Sequence, residues 1–238
     1  MKFTSHLKVS ILLFTLLPLS LTLSARCLSG DCDEGFGVFQ YENGDLYRGS
    51  WQQGQRHGYG VYLQENQDIY SGNWAMGKRH GFGRYAYSNG DLYMGQWENN
   101  KMHGTGYYVY QNGDIYEGEF NHGRISGYGM MQFGEESIYV GQWQNDQFNG
   151  LGTLTYQNGT QIKGEWVLGQ PSGRVQYQYA NGSKYEGYYL DGKRHGTGIL
   201  TLPDGRQIIG TWHEGKQYAQ PQPEHKEAFT YHYGSNRA

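Results

Sequence analysis

Charge and covalent cross-links are both scarce in this chain. Asp, Glu, Lys and Arg make up 17% of its 238 residues, against about 25% in ordinary soluble domains. The formal net charge is −3. That balance argues against nucleic acid as a partner, because phosphate binding needs a basic footprint. Only two cysteines are present, Cys27 and Cys32, so disulfides cannot staple the rest of the chain together. Long apolar runs are missing as well. The one candidate, Val9 to Leu23, falls short of the roughly 20 residues a spanning helix needs.

That short run carries the marks of an export signal. Lys2 and Lys8 precede it, and the small residues Ser24 and Ala25 follow it, in the order basic, apolar, small that a secretory signal requires. Cleavage after Ala25 defines 1–25 as a signal peptide, with an uncleaved anchor as the other reading. The expected location is therefore periplasmic, envelope-associated or secreted. Cys27 just after the run admits lipidation, but Arg26 stands where a lipoprotein signal wants a small residue. A Cys27–Cys32 bridge in an oxidising compartment is the simpler reading, within a short linker at 26–32.

Glycine and aromatic residues are abundant: 38 Gly, 23 Tyr and 6 Trp. Their spacing is strictly periodic, which distinguishes the chain from a low-complexity one. Counting from Tyr47 in steps of 23, position 1 is Tyr47, Tyr70, Tyr93, Tyr116, Tyr139, Ile162, Tyr185 and Ile208. Position 3 is always Gly. Position 5 holds every tryptophan, Trp51, Trp74, Trp97, Trp143, Trp166 and Trp212, with Phe120 and Tyr189 in the remaining copies. Position 12 is always Gly, and position 14 is Gly except at Val175. Asn-Gly recurs at positions 20–21, as in Asn43-Gly44 and Asn89-Gly90.

Positions 1, 3, 5 and 12, 14, 16 alternate with the period of a strand, and Asn-Gly between two such runs signals a hairpin. Each repeat is then two antiparallel strands, with the six residues between positions 5 and 12 as the opposite turn. A three-residue loop over positions 19–21 pairs 16 with 1, 14 with 3 and 12 with 5. That register puts all the aromatics on one face and sets each Trp against a Gly, whose backbone an indole can cover. The predicted fold is all-β: an elongated single-layer antiparallel meander of fifteen to sixteen strands, ~70–75 Å long at strand spacing. The array spans 33–217, as a half repeat, seven full repeats and a closing half. Residues 218–238 leave the lattice at Pro221 and Pro223 and read as a C-terminal cap or tail.

These columns resemble the MORN (membrane occupation and recognition nexus) repeat. Its pattern Y-x-G-x-W-x-x-G-x-x-H-G-x-G stands here as Tyr70-Ser-Gly72-Asn-Trp74-Ala-Met-Gly77-Lys-Arg-His80-Gly81-Phe-Gly83. The resemblance implies a non-catalytic β-array used for association with proteins or lipid surfaces. Ser126, Asn149 and Ser172 depart from the pattern at its His position.

Three groups of residues are candidates for function. Arg56, Lys78, Arg79, Lys101, Arg124, Lys193, Arg194 and Lys216 fall at positions 9 and 10, where they would line one rim as a basic stripe for anionic headgroups or simply as solvated turn residues. Tyr62, Tyr85, Tyr108 and Tyr177 at position 16 would form an aromatic binding face, while the tryptophans are structural. The column His57, His80, His103 and His195 repeats every two strands, ~9–10 Å apart. One metal holds its ligands within about 2.1 Å, so these are expected to bond backbone in turns, with no metal and no cofactor. Ser, His and carboxylates recur with the lattice, and no nucleophile elbow or P-loop occurs. The expected function is a scaffold engaging a protein partner or membrane surface, not an enzyme; the alternative is a polysaccharide-binding module built on the Tyr/Trp ladder.

Overall fold

The computed structural model describes residues 24–218. The expected signal at 1–25 and tail at 218–238 lie almost wholly outside the described residues. The chain forms one 18-stranded sheet in which consecutive strands pair antiparallel. It begins with β1 (Arg26–Gly30), β2 (Gly35–Gln40), β3 (Leu46–Gln52), β4 (Gln55–Leu63) and β5 (Ile69–Ala75). The meander continues in the same way to Lys216–Tyr218. Sixteen of these strands belong to the repeat lattice, and two short ones extend it at the ends. The residues read as a linker are one of these: β1 pairs with β2, Arg26 opposite Gln40 and Gly30 opposite Gly37. A disulfide joins Cys27 to Cys32 across the turn that follows. No helix among the described residues is long and apolar enough to cross a membrane.

The Asn-Gly loops have the expected length and register. Tyr41 N donates to Asp45 O at 2.9 Å and Gly44 N donates to Tyr41 O at 3.0 Å, leaving three residues in the loop. Gly44 closes it in the left-handed region, φ +89°. Across this hairpin Gly35 faces Trp51, Gly37 faces Gly49 and Phe39 faces Tyr47, so 12 meets 5, 14 meets 3 and 16 meets 1.

The opposite turn is shorter than the six residues expected. Gln53 and Gly54, with φ of 51° and 67°, make a two-residue turn, the type I′ geometry that matches strand twist. Beyond it Gln52 pairs with Gln55 and Trp51 with Arg56, and the register then shifts to Gly49 opposite Gly60. Residues 57–59 bulge out to absorb the shift. Gly58 sits in that bulge at φ +58°, which explains why position 12 is always glycine. The constraint is backbone conformation rather than a covering indole.

The ring that does cover glycine is the position-1 tyrosine. Tyr47 is fully buried and lies over Gly49 and Gly60, where a Cβ on either would strike its ring. Its hydroxyl donates to Ser50 O at 3.0 Å. Tyr47 meets Trp51 edge-to-face at 5.1 Å and Trp74 at 5.5 Å; Tyr70 repeats the pattern with Trp74 and Trp97. The core of this one-layer protein is thus an alternating Trp–Tyr ladder along one face, in the T-shaped geometry aromatic quadrupoles favour. Indole N–H groups are satisfied by the partner strand of the same hairpin, as when Trp74 Nε1 donates to Gly60 O at 3.4 Å.

Candidate binding surfaces

The position-16 tyrosines belong to the core layer. Tyr85 is only 5% exposed, and Tyr62, Tyr108 and Tyr177 pack half-buried against the ladder. The hydroxyls of Tyr62, Tyr85 and Tyr108 are engaged by position 22, which is Asp45, Asp68, Asp91 and Asp114 in four repeats. Tyr62 donates to Asp45, Tyr85 to Asp68 at 2.9 Å and Tyr108 to Asp91 at 3.0 Å. Each carboxylate also accepts a backbone N–H from the following loop, from Glu65, Ser88 and Gln111 respectively. Burial works to raise the pKa of all three aspartates, but these hydrogen bonds outweigh it and hold them below the ordinary value. Burial, reinforced by the bonded carboxylate, pushes the Tyr85 phenol up to about 12. The expected aromatic binding face is corrected accordingly: its rings are packed, and the hydroxyls of Tyr62, Tyr85 and Tyr108 are bound.

The basic stripe divides in two. In a strand adjacent side chains point to opposite faces, so positions 9 and 10 cannot share one. Arg56 folds over Trp74, its guanidinium carbon 4.2 Å from the ring centroid, and donates to Gly77 O at 2.9 Å. Arg79 does the same over Trp97 at 4.4 Å, and Arg194 lies 5.3 Å from Tyr185. Burial lowers the pKa of Arg79. These three arginines roof the core through cation–π contact. Only Lys78, Lys101, Arg124, Lys193 and Lys216, all at position 9, stay exposed.

The histidine column does not bond backbone as expected. Nδ1 of both His57 and His103 is buried without a hydrogen-bond partner. His103 also has close company, for Glu98 and His122 bring their ligand atoms to within 4.8 Å of it and of each other. The cluster is assembled from three different columns, so no single column of the repeat carries its signal in the sequence.

The reverse face of the sheet carries what the aromatic face does not offer. Position 13 projects away from the ladder and reads Phe36, Tyr59, Phe82, Thr105, Tyr128, Leu151. Its five large apolar members are between 55% and 63% exposed. Further along the same face an open groove of ≈ 700 Å³ is lined by Arg174, Glu186, Tyr188, Ile199 and Ile209, among others. Period-two alternation contained this signal, since position 13 lies between the inward positions 12 and 14.

Among the described residues the chain is an open, single-layer, antiparallel array with a linear core, the form of a repeat scaffold. The chain belongs to the MORN-repeat family: the MORN repeat model matches residues 34–46, 47–69, 70–92, 93–115, 116–136, 139–161, 163–184 and 185–205. No curated protein matches the chain. Among solved structures, the chain is similar to the TCP domain of a Drosophila melanogaster SAS-4 protein in complex with a proline-rich motif. There the identity is 20% and the TM-score 0.39, over 79% of this chain and 90% of the other. The TCP10 domain of a Danio rerio CPAP protein, in complex with a peptide, gives 14% identity and a TM-score of 0.35, over 74% and 84%. A virginiamycin B lyase from Staphylococcus aureus gives 10% and 0.17, over 79% and 59%. No residue role is carried over from these three.

Proposed function

We propose that this chain is a non-catalytic, exported scaffold that engages a protein partner along the reverse face of its sheet. The observation that carries this reading is the exposed apolar column Phe36, Tyr59, Phe82, Tyr128 and Leu151. Soluble monomers rarely leave large apolar side chains in a contiguous exposed patch without a use for them. The lattice does not require them, because Thr105, Arg174 and Thr197 occupy the same position in other repeats. Equivalent members stand two strands apart, ~9–10 Å, a spacing that suits successive anchor residues of a polypeptide laid along the array. Export is supported by the basic–apolar–small order of residues 1–25 and by the Cys27–Cys32 bridge, a bond that persists in oxidising compartments. A bridged Cys27 has no thiol to acylate, which favours a soluble or peripherally bound form over a lipid-anchored one.

Affinity capture from the native organism with wild type, Tyr59→Ser/Phe82→Ser and Lys78→Ser/Lys101→Ser tests the reading. Capture of a protein partner should be lost in the first variant and kept in the second. Vesicles containing anionic lipid and a polysaccharide pull-down run alongside. Unchanged capture by Tyr59→Ser/Phe82→Ser overturns the proposal. So does vesicle binding that fades with salt and disappears only in the lysine variant, which would make a membrane surface the partner.

A further inference from the structure

The lattice brings three positions together at the turn edge of every repeat: position 6, position 11 and position 7 of the next repeat. In most repeats they hold residues unable to share a cation, such as Gln52, His57 and Met76, or Ala75, His80 and Asn99. In the repeat that begins at Tyr93 they are Glu98, His103 and His122. Among the described residues this is the one place where three His, Cys or carboxylate ligand atoms lie within 4.8 Å of one another.

The backbone presents the three groups from separate elements. Glu98 ends the strand Leu92–Glu98, His103 lies near the start of Lys101–Val109, and His122 occupies the turn after Ile115–Asn121. That turn is fastened to the neighbouring strand by Gly123 N donating to Met102 O at 2.8 Å, which sets His122 beside His103. Their ring centroids are 5.2 Å apart. His103 Nδ1 is buried, so the ring offers Nε2, which lies 3.6 Å from a Glu98 carboxylate oxygen. Donors of a tetrahedral zinc ion sit about 2.0–2.2 Å from it, which places them roughly 3.3–3.5 Å apart. The His103–Glu98 spacing is already near that value. His122 is exposed on its turn, with a ring nitrogen within 4.8 Å of the ligand atoms of the other two.

We propose that Glu98, His103 and His122 bind a divalent transition cation of the zinc class. Two imidazoles and one carboxylate suit that class, since hard cations such as Mg²⁺ prefer all-oxygen shells. Three protein ligands leave the fourth position to water. A bound ion clamps the 122–123 turn to the preceding hairpin, linking two successive repeats by a contact no other pair has.

The test is calorimetric titration of the folded, full mature chain with zinc sulfate, with Co²⁺ absorption in the visible as a reporter of tetrahedral geometry and Mg²⁺ as the negative control. Wild type should bind one equivalent. His103→Gln, His122→Asn and Glu98→Gln should each weaken that equivalent by more than the roughly 10–100-fold that loss of an outer-shell partner causes. His80→Gln, from the same column without the companions, should bind as wild type. His122→Asn retains a residue that tolerates the left-handed turn conformation, and circular dichroism of each metal-free variant verifies folding. Absence of zinc binding by wild type overturns the proposal, as does an equivalent that survives all three substitutions or is lost in His80→Gln.

Discussion

Val175 fills the space that a tyrosine ring takes in neighbouring repeats, and Ile162 is the residue that leaves it free. Val175 stands opposite Gly164 in the ladder and is almost fully buried. A Cβ built on Gly164 would come within 3.2 Å of a Val175 methyl. Elsewhere the ring of Tyr47, for example, lies where a side chain on Gly60 would go. A ring and a side chain exclude each other there. Gly60→Val should therefore destabilise the array by overpacking, on the order of 1–3 kcal/mol. Tyr47→Ile with Gly60→Val should cost less than the sum of the single changes, with a coupling of roughly 0.5–3 kcal/mol. Urea melts followed by tryptophan fluorescence measure both; strict additivity would show that the exchange at Ile162 and Val175 is coincidental.

The Tyr–Asp column predicts two pH boundaries. Asp45, Asp68 and Asp91 have folded pKa values below the ordinary 3.8 of a free aspartate. Their stabilisation is therefore fully present above that value and is lost as pH falls through the folded pKa. Tyr85 is raised from 10.0 to about 12, so its contribution is fully present below 10.0 and lost as pH rises toward about 12. Melting temperature against pH should be flat between these limits. Asp68→Asn should flatten the acid limb, and an unaltered acid limb in Asp45→Asn, Asp68→Asn and Asp91→Asn alike would remove these carboxylates as its cause.

Arg79 roofs Trp97 by contact rather than by displaying charge. Position 10 is Met102 in the next repeat and Phe148 further on, and Phe148 stacks on Tyr139 at 3.7 Å in the same role. Arg79→Met should therefore change stability by less than about 1.5 kcal/mol, the range of volume-conserving exchanges. Arg79→Asp, which sets an anion against the negative face of the indole, should lower stability well beyond that. Equal effects of the two substitutions on the urea midpoint would contradict the packing role.

Reducing the Cys27–Cys32 bridge should act locally. Array stability is a sum of neighbour terms, and β1 contacts the lattice through β2. Amide exchange should accelerate in Arg26–Gly30 and Gly35–Gln40 on addition of reductant and stay unchanged beyond Leu63. Acceleration throughout the array would mean that the sheet unfolds as one cooperative unit.

Position 22 was legible as a column of Asp45, Asp68, Asp91 and Asp114, but its purpose was not, because for the first three the partner tyrosine lies 17 residues away on a strand of the next hairpin. The same limit applies to Glu98, His103 and His122. Their proximity comes from the two-residue turns and the bulge at position 12, which bring unlike positions of adjacent repeats together.

By itself the sequence determined the family, the 23-residue period, the meander and the pairing of 16 with 1, 14 with 3 and 12 with 5. These follow from properties local to each residue: period-two alternation, and the backbone freedom of Asn-Gly. Only the tertiary structure decided which residues remain free to bind. It turned Arg56 and Arg79 inward over indoles, sealed Tyr85 against Asp68 and left Tyr59 and Phe82 exposed on the far face. The reason is that exposure depends on what neighbouring strands place around a side chain, and in this array the bulge at position 12 sets that placement.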